Sequence, residues 1–238
     1  MASQYSIDIH SVEINGYNTW DEWHLIPESR PIIEMPQRRT QIVDIPTIDG
    51  VIDISESLTG YPVFQNRTGS LSFYVMHEYY TNGMTWKDMH NRIVTHLHGR
   101  KLRMRLMDDP DFYYEGYFSM DSWTTDADPG HSRVKISYDL HPYKRKLVET
   151  TISIPVNGTR DVELSTLQPA NPTMKASVTA GESITCTGPT YGGTNKTVTL
   201  TAMDTTYNDI FATEFINDGI LTFNGYGTVD IRYTEGRL

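Results

Sequence analysis

A single segment of this chain clearly repeats its apolar residues at helical spacing. Trp86, Met89, Ile93 and Leu97 fall on one helical face, with Val94 beside them. Thr85 followed by Asp88 has the form of a capping box, with Asp standing where Glu or Gln is commoner. Gly99 supplies a left-handed residue to end the helix, and Arg100 and Lys101 follow close to its negative end. The spacing predicts one helix over about residues 85–98. Its apolar residues, Trp86 included, are expected to face the core.

The rest of the first 143 residues reads as short extended segments. Tyr5–Ile9 and Val12–Ile14 precede an Asn15-Gly16 turn signal. Gln41–Ile45 alternates apolar and polar residues, Val51–Ile54 does so after Asp49-Gly50, and Ser70–Met76 is a strong strand. Gly50, like Gly99, is expected at positive φ. Pro27, Pro31, Pro36 and Pro46 mark loops and edges, because proline cannot donate to a ladder. A fold that is mainly β, with one helix laid on a sheet, is the expectation.

Residues 97–118 pack four basic residues, carboxylates and aromatics together, as an active site does. Strand periodicity accounts for them without chemistry. Leu102, Met104 and Leu106 alternate with Arg103 and Arg105, so one face is apolar and the other cationic. Asp108-Asp109-Pro110-Asp111 is a turn, and Phe112–Met120 is the returning strand. Asp108, Asp109, Asp111 and Glu115 lack the loop glycine and terminal bidentate Glu of an EF-hand. His96 and His98 are two apart on a helix and point to different sides, so they fit a helix terminus better than a metal pair. The chain holds no Gly-x-Ser-x-Gly elbow, P-loop or dinucleotide fingerprint. No catalytic, cofactor-binding or metal site is assigned, no cofactor is expected, and the reading is non-enzymatic.

Beyond about residue 150 threonine becomes frequent, helical periodicity disappears, and glycines read as turns at Gly181, Gly188, Gly192-Gly193, Gly219, Gly225 and Gly227. Strands at 152–156, 174–178, 183–187, 197–202, 220–223 and 228–233 predict a small β-sandwich. The expected division is a domain over 1–145 and a sandwich over 150–238, joined within Lys144–Thr150. The run His141–Lys146 before the join reads as a solvated linker.

Thirty acidic residues against twenty Lys and Arg give a formal charge of −10. Such a chain does not attract phosphate backbones, whose affinity for proteins comes from cations displacing counterions. The single Cys186 excludes an intrachain disulfide framework and reads as a small strand residue. The polar N-terminal residues carry no apolar signal core, so Asn-x-Ser/Thr at Asn66, Asn157 and Asn195 reads as chance and synthesis as cytoplasmic. No run reaches the roughly 18–20 apolar residues of a membrane-spanning helix.

The order of several motifs resembles the distal tail proteins of long-tailed, non-contractile bacteriophages. Trp23–Pro31, Val43-Asp44-Ile45-Pro46, Asp49–Asp53 and Asn66-Arg67 carry the resemblance. The Trp-started helix ending Leu97-His98-Gly99-Arg100-Lys101, and then Asp109–Gly116, continue it. Ile216–Gly219 and Asn224–Leu238 complete it. Pro46-Thr47 stands where the family often has Pro-Gly. The resemblance implies an N-terminal β-barrel or β-sheet domain with one helix and a C-terminal galectin-like β-sandwich. It further implies a homo-hexamer, as one ring or two stacked rings, in the baseplate at the tail tip of the virion. Such a ring joins the major tail tube protein to the tail-tip or fibre protein and, in the family, to receptor-binding proteins. An acidic chain suits a channel that must pass DNA without binding it. The alternative is a carbohydrate-binding module recognising cell-wall saccharides, with Tyr191, Tyr207, Phe223 or Tyr226 stacking on sugar rings.

Overall fold

Two β-rich units make up the chain, residues 1–37 with 65–144 and residues 38–64 with 145–238. The computed structural model describes residues 10–46, 49–57, 62–76, 83–125, 132–166, 170, 172–190, 194–209 and 220–238. The segments expected at Tyr5–Ile9 and Ile216–Gly219, and Thr47, Tyr191 and Gly192-Gly193, lie outside these residues.

In the first unit the strands are β1 (Val12–Ile14), β2 (Tyr17–Asn18), β3 (Leu25–Pro27), β6 (Arg67–Val75), β7 (Arg100–Leu106), β8 (Phe112–Thr125) and β9 (Ser132–Leu140). They form an antiparallel sheet in the order β2-β1-β7-β8-β9-β6-β3. Alternation puts Leu71, Phe73 and Val75 of β6 in the core with Val134, Ile136, Tyr138 and Leu140 of β9 and Leu102 and Met104 of β7. Helix α1 (Trp86–Leu97) adds Met89, Ile93 and Leu97 to the same core. Each of the three is worth about 1.5–3 kcal/mol of burial.

The ends of α1 follow the sequence. Asp88 N–H donates to the Thr85 hydroxyl, and the Thr85 N–H donates back to the Asp88 carboxylate at 2.9 Å. Gly99 follows at φ +71°, Gly50 lies at +87°, and Asn15-Gly16 turns between β1 and β2 with both residues at positive φ. Trp86 departs from the expectation. It is 45% exposed, and its ring meets Trp123 at 6.3 Å and His90 at 6.4 Å. As the first helical residue it packs in an aromatic cluster at the helix entry instead of entering the core.

Two further strands, β4 (Ile42–Asp44) and β5 (Val51–Asp53), pair only with each other as a hairpin. Strands β10 (Lys144–Lys146), β11 (Thr150–Glu163), β12 (Thr173–Ser177), β13 (Ser183–Pro189), β14 (Asn195–Thr201), β15 (Asn208–Asp209), β16 (Ile220–Tyr233) and β17 (Gly236–Arg237) follow.

The sandwich is organised by β11 and β16, which pair along fourteen residues from Thr150↔Tyr233 to Glu163↔Ile220. The segments expected as two strands, 220–223 and 228–233, are one. Gly225 and Gly227, expected as turn residues, lie inside it, both at φ +146°. A Cβ on Gly225 would stand 2.6 Å from the Ser183 carbonyl oxygen, and one on Gly227 2.5 Å from that of Ser177. Only glycine allows both that backbone and that approach. On one side of the glycines β16 pairs with β13, and on the other with β12. Two layers result: one half of the ribbon with β13 and β14, the other with β12 and β15. Leu221 and Phe223 from one half share a core with Val229 and Ile231 from the other, around Ile184, Cys186 and Leu200. Gly188, also expected at a turn, is inside β13.

Candidate interaction surfaces

Among the carboxylates at and beside the β7–β8 turn, Asp108, Asp109 and Glu115 are each met by a cation. Asp108 accepts from His10 Nδ1 at 2.8 Å and from Arg30 Nε at 2.7 Å, and these bonds, His10 first, hold its carboxyl below the usual range. Asp109 accepts from Lys144 at 2.6 Å, and Glu115 faces Lys101 at 2.7 Å and Arg103 at 3.6 Å. Arg103 also lies over the Tyr113 ring, and Arg105 pairs with Glu13. The turn itself forms as expected, with Asp109 N–H on the Leu106 carbonyl and Phe112 N–H on that of Asp109. The cluster fixes a hairpin tip to the segments beside it. No group of three or more metal-binding side chains occurs among the described residues.

The two helix histidines diverge. His96 Nε2 lies 3.3 Å from the Ile14 carbonyl, with its ring 4.0 Å from that of Tyr17. His98 is the C-cap, and its Nδ1 accepts the Met120 N–H at 3.2 Å. The run His141–Lys146 is anchored and not a solvated linker. Lys144 holds Asp109 and lies 5.0 Å from the Phe112 ring centre, while Lys146 donates to Glu235 at 2.9 Å.

Arg67, from the Asn66-Arg67 motif, is buried with no carboxylate partner among the described residues. Its Nε donates to the Pro142 carbonyl at 2.7 Å and its Nη1 to the Glu34 carbonyl at 2.8 Å, with the Tyr114 ring 5.5 Å away. Burial lowers its pKa and raises those of Tyr114 and Tyr138. The guanidinium thereby pins the 31–37 segment to the sheet. Cys186 is buried in the sandwich core, with its thiol pushed up to about 12 by burial.

The aromatic platform proposed for sugars does not assemble from the described residues. Phe223 is fully buried in the core. Tyr207 is covered by Arg232, 3.9 Å from its ring centre, with Lys175 at 5.1 Å. Tyr226 alone of the three presents a well-exposed ring, at 61%.

The β4–β5 hairpin is the surface least like that of an isolated monomer. Alternation in its strands predicts one sheltered face, yet Ile42 (57%), Val43, Val51 (60%) and Ile52 are all exposed. Both faces thus present apolar side chains, and each strand keeps one unpaired edge in the two-stranded sheet. At its base Arg38 donates to Glu56 at 2.7 Å, and the Gln41 N–H donates to Ser55 Oγ at 2.7 Å. Exposed aliphatic residues beside open strand edges are the features by which a strand pair can take up another chain.

No protein-family profile and no curated protein matches the sequence. Among solved structures, the chain is similar to the SPP1 Dit (gp 19.1) protein, described as a paradigm of the hub adsorption apparatus in phages infecting Gram-positive hosts. That likeness has a TM-score of 0.59 at 15% identity, over 96% of this chain and 99% of the other. Weaker likenesses at 8% identity are to the phage p2 baseplate in its activated conformation. The strontium form has a TM-score of 0.41 and the calcium form 0.39, each over 94% of this chain and 97% of that one. Over the 96% of its length that is matched, this chain has a Dit-like fold.

Proposed function

We propose that this protein is a structural hub of a bacteriophage tail baseplate, acting without enzymatic chemistry. Six copies form a ring, single or stacked, that joins the tail tube protein to the tail-tip or fibre protein. The sandwich is available to receptor-binding proteins, and DNA passes through the central channel. The protein is made in the host cytoplasm and works at the virion tail tip. The observation that carries this reading is the end-to-end likeness in fold to a hub protein. The exposed aliphatic β4–β5 hairpin supports it, because head-to-tail contacts close into a ring when the rotation permits. The acidic excess supports a bore that does not hold DNA.

Light scattering with negative-stain imaging tests it, alone and on purified tail tubes. Six chains of 27.2 kDa give roughly 163 kDa and rings with a central hole. Ile52→Asp is expected to lower the mass of the assembly while leaving the monomer folded. A protein that is monomeric both alone and with tubes refutes the ring. Saturable binding to cell-wall saccharides through Tyr226 would favour the carbohydrate-binding alternative.

A further inference from the structure

Outside the core of the first unit, the exposed side of α1 meets the β1–β2 turn and the start of β7 around an open hollow of about 430 Å3. Its aromatic wall is Tyr17, Trp23 and His96. The Tyr17 and His96 rings lie 4.0 Å apart, and the Trp23 ring is 5.5 Å from that of His96. Its rim carries Arg92, Arg100 and Asn91, and no carboxylate lines it.

Two features make this rim receptive to negative charge. Arg100 is exposed and meets no carboxylate among the described residues. Among the described residues Arg92 pairs with Glu22 at 3.1 Å, with both side chains nearly half exposed. Exposed pairs of this kind are worth about 0–1 kcal/mol, so Arg92 can exchange its partner for another. The hollow is therefore cationic and aromatic in a chain that carries ten surplus negative charges.

We infer that this hollow seats a carboxylate side chain from a second copy of the chain, held by Arg100 and Arg92 beside the Tyr17–His96 face. The inference rests on the ring reading and names one contact within it. Copies with a formal charge of −10 repel one another, and they associate where an uncompensated cation of one meets an acid of the next. Arg100 supplies such a cation. A guanidinium can bind a carboxylate through two parallel hydrogen bonds.

The test uses the full chain, prepared as isotopically light and heavy copies and mixed. Arg100→Lys places an amine at the rim that keeps the charge, and a carbodiimide joins an amine directly to a carboxylate in contact with it. The expected result is a light–heavy cross-linked peptide pair joining position 100 of one copy to an Asp or Glu of another. Arg100→Glu is expected to raise the concentration needed for assembly roughly tenfold or more, with an unchanged melting temperature of the monomer. Rings that form normally in Arg100→Glu, or the absence of any inter-copy link at position 100 in Arg100→Lys, overturn this contact and leave the ring reading standing. A wild-type chain that never associates, alone or on tail tubes, overturns both.

Discussion

Gly227→Ala probes the bent ribbon at its tightest point. The added methyl would stand 2.5 Å from the Ser177 carbonyl oxygen, 2.9 Å from Val178 Cγ1 and 3.2 Å from Ile184 Cδ1, at φ +146°. The backbone conformation costs about 1–3 kcal/mol for a residue with a Cβ. Overpacking adds about 1–3 kcal/mol, because the nearest neighbour is backbone and cannot swing aside. The stiffer unfolded chain offsets about 0.4–1 kcal/mol. The net destabilisation is about 1–6 kcal/mol, centred near 3. Cys186 reads it directly, because the single thiol is buried in the sandwich core and its pKa is pushed up to about 12. It reacts with a thiol reagent only when the sandwich opens. A loss of about 3 kcal/mol raises the labelling rate roughly a hundredfold or more, at 1.36 kcal/mol per factor of ten. Gly181→Ala is the control, since Gly181 has φ +90° but open space around it. It carries the backbone cost alone, about 1–2 kcal/mol. All four tryptophans (Trp20, Trp23, Trp86 and Trp123) lie in the first unit, so their fluorescence monitors that unit in the same samples. Labelling in Gly227→Ala no faster than in Gly181→Ala would refute the steric argument.

Ile93→Ala should cost about 2–5 kcal/mol in denaturant titrations followed by tryptophan fluorescence, because the side chain is fully buried against the sheet. Trp86→Ala should cost about 1 kcal/mol or less, as a half-exposed residue in a surface aromatic cluster; equal losses would mean that α1 docks by another face. Thr85→Ala should cost about 0.5–2 kcal/mol by removing the helix cap. Burial alone would raise the Glu235 carboxyl, but hydrogen bonds from Lys146 and Thr150 outweigh it and hold it below the usual range. Its stabilisation is therefore complete above the unfolded value of about 4.3 and drains away as pH falls through the lower folded value. Glu235→Gln should remove that part of the acid sensitivity, measured as urea midpoints by circular dichroism at descending pH. An unchanged acid profile would exclude the carboxylate as its source.

Local chemistry was legible where a few neighbouring residues decide the outcome. The Thr85–Asp88 cap, the left-handed Gly99, the Asn15-Gly16 turn and the Asp108–Asp111 turn all form as the side chains dictate. Helical periodicity placed Met89, Ile93 and Leu97 correctly and misplaced Trp86, since a period gives a direction and not how far the partner sheet extends. Gly225 and Gly227 read as turns because two glycines with one residue between them most often end a strand. Their role depends on Ser177 and Ser183, which pass within van der Waals distance only in the folded sandwich. The β4–β5 alternation implied a sheltered face, whereas the cover for that face is not supplied within the hairpin. Nor could sequence foresee the hollow, whose walls come from Tyr17, Trp23, α1 and Arg100 and meet only through the sheet order.

The ribbon also sets the order in which the sandwich can form. During synthesis β11 leaves the ribosome with Ile154 and Val156 ready for burial, yet the strand it pairs with begins only at Ile220, after residues 164–219 have been made. Strands β13 and β14 can pair in the meantime, but neither layer acquires its central strand until β16 arrives. Closing that loop is an entropic cost that must be met before the ladder repays it. The sandwich is thus a cooperative event that waits on β16, and until then β11 stands as an open edge carrying apolar residues without a partner strand.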